Sequence, residues 1–443
     1  MDGKSGKVLQ KSRFLGGTQI SRISQIFFSQ IFKIMRVWIV NYYTEKPERA
    51  SNPRYLQFSK RFMDKGWEVT TFNANYQGEE SDPLFDRKQY GEYDFVHVKA
   101  PHYVGNGLGR MKSIFSFAWQ IYKHCKEFEK PDVILQNVHT PFDYPIVWAA
   151  KKLKAKYVAE AWDAWPDVFA HLGLVSRRNP ALKVFYWIEK KLYQKADQVV
   201  FTIAGMIQHI KDMGWSTETG GKIDLSKVHY INNGVDLEQF DKDREVWPRE
   251  DEDLHDPKTL KVVYLGSINR ANHVHTLIDA AKLLQSLDYY RFFIYGDGKD
   301  REELEQKVKD EGITNVVFKE KRIPLCECAW VVSQATVNIM NYQKGFGYMG
   351  VSSGKMFQYL AAGKPIVCNV NIAYDDVITD NQLGIARDIE TPEAFAQAIR
   401  DVAEQPRASY DGMCERVRKT AERFDYKKLA DEEIEVIEAA LKG

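Results

Sequence analysis

Residues 351–367 read VSSGKMFQYLAAGKPIV and combine a loop, a short helix and the start of a strand. Small residues at 352–354 suit a helix cap, and residues 355–362 predict the helix itself. Gly363 fits the position that ends a helix, and Pro365 prevents the helix from continuing. The order of loop, helix and strand is typical of α/β proteins.

The start of this helix has two interpretations. Its unpaired backbone N–H groups and the partial positive charge of a helix N-terminus suit a phosphate, and Lys355 adds a full charge beside them. The other interpretation is an ordinary helix cap in an α/β domain. This stretch alone leaves both open.

Composition narrows the class of protein. The chain has 443 residues, of which 44% are hydrophobic and 28% charged, as expected for a globular enzyme of two or three domains. Its formal net charge of +1 argues against a dedicated nucleic-acid binder, so no nucleic acid is expected as a partner.

The cysteines predict reduced thiols of a cytosolic protein: Cys125, Cys326, Cys328, Cys368 and Cys414. The pair at 326 and 328 has no second pair at zinc-finger spacing, so no metal ion is expected as a cofactor. No stretch reaches the roughly 18 consecutive apolar residues of a membrane span.

From Met35 onward, short apolar strands alternate with helices, which predicts parallel sheets covered by helices on both faces. A charged segment with two prolines interrupts the pattern, which restarts at Leu260. Ligands of such sheets bind at the carboxyl ends of the strands. The predicted units are a Rossmann-like domain at 35–245, a linker at 246–258, a second Rossmann-like domain at 259–423, and a closing helix at 424–443 that packs back toward the first domain.

Residues 1–34 carry basic side chains and then an amphipathic stripe. Its apolar residues are spaced by three and four: Ile20, Ile23, Phe27, Ile31 and Ile34. The stripe indicates either a helix on a membrane surface or an extension that precedes a natural start at Met35.

Two glycine-bearing turns follow the first two strands of the second domain, at 266–270 and 296–298. Glycine at such turns lets a ligand approach the backbone closely. Neither turn fits G-x-G-x-x-G, and no acidic residue follows at the spacing of a dinucleotide ribose site. NAD is therefore not expected.

In their order along the chain, these motifs resemble those of the retaining glycosyltransferases of family 4, which have the GT-B fold. The resemblance runs from about Met35 to the end of the chain and implies two Rossmann-like domains that face each other across a cleft. The motifs that carry it are NGVD at 233–236, YLGSI at 264–268, YGDG at 295–298 and SGKMFQYLAAGKP at 353–365. In the first domain, the segments that resemble the branch building capsule, exopolysaccharide and O-antigen units are YVGNGLGR at 103–110, SFAW at 116–119 and WDAWPD at 162–167.

The resemblance implies that a nucleotide-sugar donor, with UDP favoured over GDP, binds the second domain. No metal is expected, because cations and backbone N–H groups would neutralise the diphosphate. Arg270 would be the cationic clamp, and Arg322 and Ile323 would border the base. The implied donor-binding residues are Gly266, Ser267, Arg270, Gly296, Gly298, Arg322, Ile323, Ser352, Ser353, Gly354, Lys355 and Gln358.

The acceptor would lie in the first domain. His139 and Asp163 each follow a predicted strand, and we expect them to position acceptor and sugar, with Asp163 contacting the acceptor hydroxyl. With Arg270 they are the expected catalytic residues. The loop after the first strand, where the family approaches the diphosphate, contributes Arg49, Ser51 and Arg54.

Several positions depart from the family pattern. The family's first glutamate falls on Gly350, and its second falls on Gln358, whose amide can still hydrogen-bond a ribose. Its usual Arg and Lys after the first strand of the second domain fall on Ser267 and Asn272. The missing first carboxylate leaves the contacts of the sugar open, and the backbone at 345–349 is one way to supply them.

The acceptor of this branch is a polyprenyl-diphosphate sugar in the inner leaflet. The resemblance therefore implies a lipid-linked or oligosaccharide acceptor and a peripheral location on the cytosolic face of the membrane. Two segments, 110–122 and 183–191, mix basic and aromatic side chains, as suits an anionic membrane surface. The alternative is that Phe115, Trp119 and Tyr122 face the core, since their spacings of four and three also fit a buried helix face.

Two other functions are compatible with the sequence. One is a nucleotide-sugar 2-epimerase of the same architecture, which needs acid and base carboxylates in the cleft and no acceptor. The other is a non-catalytic subunit that keeps the fold without the chemistry, which the residues at 350 and 358 would suit.

Overall fold

The first part of the chain forms an eight-stranded sheet. The computed structural model describes residues 34–47, 50, 52–105, 107–171, 173 and 175–443. The strands are β1 (Arg36–Val40), β2 (Glu68–Asn75), β3 (Phe85–Tyr90), β4 (Tyr93–Lys99), β5 (Val133–Asn137), β6 (Lys156–Ala161), β7 (Gln198–Phe201) and β8 (Val228–Tyr230). Their order in space is β3-β4-β2-β1-β5-β6-β7-β8, and β3 is antiparallel to its neighbour.

Helices cover both faces of this sheet, which explains why central strands such as β1 are apolar at almost every position. The helices of this part are α1 (Arg54–Asp64), α2 (Leu108–His124), α3 (Pro145–Leu153), α4 (Asp167–His171), α5 (Pro180–Lys195) and α6 (Gly205–Asp212). Residues of α2, α3, α5 and α6 pack in the core on one face. Phe58 and Phe62 of α1 pack on the other face together with the last helix of the chain. We call this sheet and its helices the first domain.

The second part of the chain forms a six-stranded parallel sheet, which with its helices is the second domain. Its strands are β9 (Leu260–Leu265), β10 (Tyr290–Tyr295), β11 (Val316–Phe318), β12 (Val337–Met340), β13 (Ile366–Cys368) and β14 (Gly384–Ala386), in the order β11-β10-β9-β12-β13-β14. The prediction of an α/β fold with two mostly parallel sheets is confirmed. The remaining helices are α7 (Leu237–Val246), α8 (Glu252–His255), α9 (His275–Leu284), α10 (Arg301–Asp310), α11 (Leu325–Ser333), α12 (Gly354–Ala362), α13 (Val377–Asp380), α14 (Pro392–Ala403), α15 (Arg407–Ala421) and α16 (Tyr426–Lys442).

The chain passes between the domains at two adjacent places. Val235 N donates to Phe424 O at 3.0 Å, and Tyr426 N donates to Val235 O at 3.0 Å, so the outgoing and returning segments pair. A Cβ at Gly234 would lie 2.2 Å from Phe424 O, which leaves room only for glycine. Beyond this crossing, α16 packs on α1 and on the first sheet.

β3 and α7 are among the elements that differ from the sequence expectation. β3 is a short, largely exposed edge strand of polar residues, so it lacks the apolar run that marks the other strands. The structure also places helix α7 across the end of the predicted first domain. Leu237 and Phe240 pack in the core of the second domain against Ala329 of α11, while the other α7 residues are mainly polar or charged.

The predicted N-terminal stripe lies outside the described residues, apart from Ile34, which is exposed. Within the described ranges, no helix is both long and apolar enough to cross a membrane.

Candidate active site

A cavity of about 980 Å³ lies between the two domains, at the carboxyl ends of β1, β5, β6, β9 and β12. Both domains line it, so a molecule held there contacts both sheets. The predicted site residues that the structure brings together on its walls are His139, Asp163, Gly266, Ser267, Ser352, Ser353, Gly354, Lys355 and Gln358.

The N-terminus of α12 opens onto this cavity. Ser353 is its N-cap residue in an extended conformation, and its side chain makes no capping hydrogen bond. Ser352 Oγ accepts a hydrogen bond from Asn233 Nδ2 at 3.0 Å, which ties the turn to the segment that crosses between the domains. Gly363 ends the helix with φ of 63°, as the sequence predicted. The first N–H groups of α12 are therefore available to an anion in the cavity.

Lys355 places a positive charge in the same wall. Its Nζ donates to Asn272 Oδ1 at 3.1 Å and to Tyr264 Oη at 3.4 Å, and it lies 4.7 Å from the ring centroid of Tyr264 and 4.9 Å from that of Tyr342. Among the described residues, no carboxylate forms an ion pair with it. Burial lowers the pKa of Lys355 to about 8, because the surrounding groups are neutral and offer little compensation.

Gly296 and Gly298 lie next to the cavity wall and not in it. Neither lines the cavity. A Cβ at Gly296 would lie 1.8 Å from Gly266 O, and one at Gly298 would lie 1.9 Å from Ile268 O. The two glycines let the turn after β10 pack directly on the turn after β9, so they support the cavity wall from behind.

Arg270 also lies elsewhere than predicted. It is exposed and does not line the cavity, because the short 3-10 turn Arg270–Asn272 directs the first residue outward and the last one inward. Asn269 caps this turn by accepting hydrogen bonds from the backbone N–H groups of Ala271 and Asn272. The structure therefore brings Asn272, and not Arg270, to the site.

Arg322 and Ile323 are not in the cavity wall either. Arg322 is exposed, and Ile323 packs against the cluster that contains Phe293 and Trp330. The part of that segment that does line the cavity is the start of α11, with Leu325, Cys328 and Ala329.

His139 faces the cavity from the first domain. Its Nε2 is 2.9 Å from Asn41 Oδ1, and its backbone N–H donates to Asp143 Oδ2 at 2.8 Å. Burial and the nearby charge of Arg110 lower the pKa of His139 to about 3, so the ring is neutral near physiological pH. A neutral ring that donates to Asn41 can present its other nitrogen only as an acceptor.

Asp163 is open to the cavity and follows β6 by two residues. Protein surrounds it on most sides, and this burial raises its pKa, while the charge of Arg110 acts in the opposite direction. Asp163 thus contributes a carboxyl group of the first domain to the same cavity that the start of α12 lines.

Arg54 is buried and does not reach the cavity, which corrects its predicted role at a diphosphate. Its guanidinium donates to both carboxylate oxygens of Glu160, at 3.0 and 3.2 Å, and to the backbone oxygens of Ile231 and Asn232. Glu433 of α16 lies 4.0 Å away. The guanidinium therefore joins β6, the crossing segment and α16. Arg49 and Ser51 lie outside the described residues.

The loop at 343–353 bridges the domains, which the sequence did not indicate. The rings of Tyr348 and His171 stack with centroids 3.5 Å apart, and Tyr348 Oη donates to Asp167 Oδ2 at 3.3 Å. Met349 O accepts from Gly205 N at 2.8 Å, where a Cβ on Gly205 would collide with Met349. The loop that leads into α12 is therefore docked on the first domain.

Other residues of the cavity wall were missed as well. The sequence presents Asn272, which lines the cavity, only as a departure from the family pattern, and Tyr264, which contacts Lys355 from the core, only as part of a motif. Phe346 stacks on Tyr342 with centroids 4.5 Å apart. Within the described part of the chain, no three His, Cys, Asp or Glu side chains are arranged to hold a metal ion.

Comparison with known families agrees with this architecture. Residues 54–239 match the family described as Glycosyltransferase Family 4, and residues 247–424 match Glycosyl transferases group 1. This chain belongs to the GT-B glycosyltransferases. The predicted family is therefore confirmed. In a separate comparison, no curated protein sequence matches this glycosyltransferase.

Solved structures of similar fold cover nearly the whole glycosyltransferase. One from Rickettsia africae ESF-5 is 14% identical, with a TM-score of 0.63 over 93% of this chain and 100% of that chain. Anabaena Alr3699/HepE, solved with UDP-glucose, is 14% identical, with a TM-score of 0.63 over 91% of this chain and 99% of that chain. WaaG, a glycosyltransferase involved in lipopolysaccharide biosynthesis, is 15% identical, with a TM-score of 0.63 over 90% and 99%. At these identities the likeness concerns the fold.

Proposed function

We propose that this glycosyltransferase moves a sugar from a nucleotide-diphosphate donor to a lipid-linked or oligosaccharide acceptor, with retention of configuration at the anomeric carbon. A UDP-sugar is favoured over a GDP-sugar as the donor. The observation that carries the proposal is the wall formed by residues 352–355. There, a helix N-terminus and the Lys355 ammonium, which pairs with no carboxylate among the described residues, face the same cavity. Such a wall suits a diphosphate.

The donor is assigned to the second domain. Its diphosphate would accept hydrogen bonds from the first N–H groups of α12 and from Lys355, which stabilise the negative charge that develops on the leaving group. These groups can act without a metal ion. Gln358 also lines the cavity, one turn further along α12, and its amide can bond the ribose hydroxyls. The UDP-glucose in the structure of Anabaena Alr3699/HepE supports UDP as the nucleotide to test first.

The acceptor is assigned to the first domain. Asp163 would accept the hydrogen bond of the attacking hydroxyl, and the neutral ring of His139 would help to position the sugar. Trp162 and Trp165 also line the cavity and offer apolar faces to a saccharide.

A membrane-bound acceptor is supported by the surface of the first domain. Phe115 and Trp119 of α2 are 41% and 39% exposed, and Trp187 of α5 is 59% exposed. Lys112 and Lys183 are exposed on the same two helices. Aromatic and basic side chains together suit an anionic lipid surface, so we place the protein on the cytosolic face of the membrane, in surface-polysaccharide assembly.

The test is a panel of UDP- and GDP-sugars, first by thermal shift and then by turnover with lipid-linked acceptors. We expect one UDP-sugar to raise the melting temperature and to be used with retention, as read from the anomeric proton coupling by NMR. A sugar nucleotide altered without any acceptor would instead indicate an epimerase. Absence of binding to every nucleotide sugar would contradict the proposal and favour a non-catalytic subunit.

Asp163→Asn separates donor binding from transfer. The variant should bind the donor like the wild type but transfer about a hundredfold more slowly or worse, because the amide cannot accept the hydroxyl proton. Asp212→Asn, an exposed carboxylate of α6 in the same domain that does not line the cavity, is the matched control for loss of a carboxylate. Unchanged turnover in Asp163→Asn would remove Asp163 from the mechanism.

A further inference from the structure

The Lys355 ammonium is held by two neutral oxygens. Its Nζ donates to Asn272 Oδ1 at 3.1 Å and to Tyr264 Oη at 3.4 Å. An ammonium has three N–H bonds, so these two contacts leave the third for a ligand. Because a lysine side chain is long and flexible, the two contacts also decide where its charge lies in the cavity.

The amide of Asn272 can have only one orientation. Its Nδ2 donates to Asn269 Oδ1 at 3.0 Å, and the same oxygen accepts the backbone N–H groups of Ala271 and Asn272 at 3.1 and 3.3 Å. A flipped amide would turn its NH₂ group toward the ammonium and its oxygen toward Asn269 Oδ1. The Asn269 cap therefore directs Asn272 Oδ1 at Lys355.

The neutrality of Asn272 matters as much as its position. A carboxylate at this place would also hold the ammonium, but it would cancel the charge that an anion needs. An amide oxygen holds Lys355 and leaves that charge available. The basic residue of the family pattern falls on position 272, where this chain has an amide that accepts a hydrogen bond from Lys355.

We propose that Asn272 is a positioning residue of the donor site: it holds the Lys355 ammonium, supplied from α12, at the place that a basic residue at 272 would serve. This inference rests on the proposed function, because the anion in question is the donor diphosphate. Preorganised charge of this kind costs no reorganisation when the diphosphate binds.

The first test is Asn272→Asp, titrated with UDP by calorimetry on the full chain at fixed ionic strength. We expect the Kd to rise about tenfold or more, because the new carboxylate competes with the diphosphate for Lys355. The loss of binding at alkaline pH should also move to higher pH, since the carboxylate raises the pKa of Lys355. Asn381→Asp, an exposed site in the same domain outside the cavity, controls for the added charge.

The second test moves the charge. Lys355→Gln alone should weaken UDP binding by about a hundredfold, and Asn272→Lys combined with Lys355→Gln should recover it to within about tenfold of the wild type. A purely structural role of Asn272 predicts no recovery. If the double variant does not fold, the pH profile of Asn272→Asp still decides.

The outcomes separate the two proposals. If the wild type binds UDP and Asn272→Asp binds it with the same affinity and the same pH profile, the positioning role alone is overturned. Absence of binding of UDP and GDP to the wild type would overturn the donor site, and the positioning role with it.

Discussion

Arg54 and Lys355 are two cations enclosed by the protein, and the sequence predicts a ligand for each. In the structure, the two cations have different hydrogen-bond partners. Arg54 is buried, and its Nε and Nη2 both donate hydrogen bonds to the carboxylate of Glu160. The carboxylate of Glu433 lies 4.0 Å away. Lys355 lies in a cavity wall, where its hydrogen-bond partners are the neutral groups of Asn272 and Tyr264.

The partners of a buried cation distinguish a structural role from a functional one. Where a carboxylate compensates a buried charge, the pair joins elements of the fold and has little affinity left for an anion. Where the partners are neutral, the charge remains available, at the cost of a lowered pKa. The predictions below test this contrast.

Removal of the Arg54 guanidinium should have the largest effect. Arg54→Met leaves Glu160 buried without its cation, so the free energy of unfolding should fall by about 3–5 kcal/mol in urea denaturation. Arg61→Met, in the same helix but in an exposed pair with Asp431, should change it by at most about 1 kcal/mol. Similar losses in the two variants would contradict the structural role of Arg54.

The pH dependence of UDP affinity should report on Lys355. Its pKa is about 8, so the charge is present below that pH and is lost as the pH rises through it. The association constant should therefore decline above about pH 8, by at most about tenfold per pH unit. Burial raises the pKa of Tyr264 and Tyr342 far above this range and that of Cys368 to about 12, so these neighbours stay neutral.

Lys355→Arg provides the control for that titration, because a guanidinium keeps its proton throughout the range. Its affinity for UDP should show no alkaline decline, whatever its absolute value. The same decline in this variant would assign the titration to another group.

Glu433 should make the fold less stable as the pH rises. Burial and the charge of Glu160 raise its pKa to about 8, from 4.5. Between these values the folded state binds more protons than the unfolded state, so the free energy of unfolding falls as the pH increases. Glu433→Gln should reduce this fall, whereas Glu438→Gln on the surface of α16 should retain it. If the free energy of unfolding depends on pH in the same way in Glu433→Gln and the wild type, the carboxyl group of Glu433 is not the source of the fall.

The smallest change in stability is expected for Lys355→Met. Because the pKa of Lys355 is lower in the folded state, its charge opposes folding near neutral pH. The variant should be as stable as the wild type to within about 1 kcal/mol, or more stable, in urea denaturation. A loss as large as that of Arg54→Met would erase the contrast between the two cations.

The sequence predicts the fold well where burial dominates. Central strands such as β1 and β5 are covered on both faces, so their apolar runs are unambiguous. It fails at β3, whose exposed polar residues carry no such run, and at α7, where Leu237 and Phe240 provide the buried contacts. An element can be predicted where its apolar periodicity is clear, whereas the domain that it joins depends on tertiary packing.

The sequence predicts which loops meet at the candidate site, but not which of their side chains face the cavity. Topology brings the ends of parallel strands to one cleft, so the sequence could place Asp163, His139 and the start of α12 at the same cavity. Whether Arg270 or Asn272 faces the cavity depends on a single turn capped by Asn269, which the spacing of motifs does not reveal. The burial of Arg54 had one signal, namely Glu160 within the apolar strand β6, since a buried carboxylate requires a partner.

In the proposed donor site, the α12 wall binds the diphosphate through Lys355. The most direct measurement is a calorimetric titration of UDP into the wild type and Lys355→Met near neutral pH and at fixed ionic strength. We expect the wild type to bind UDP and the folded variant to bind it about a hundredfold more weakly. Equal affinity in the two proteins would contradict it.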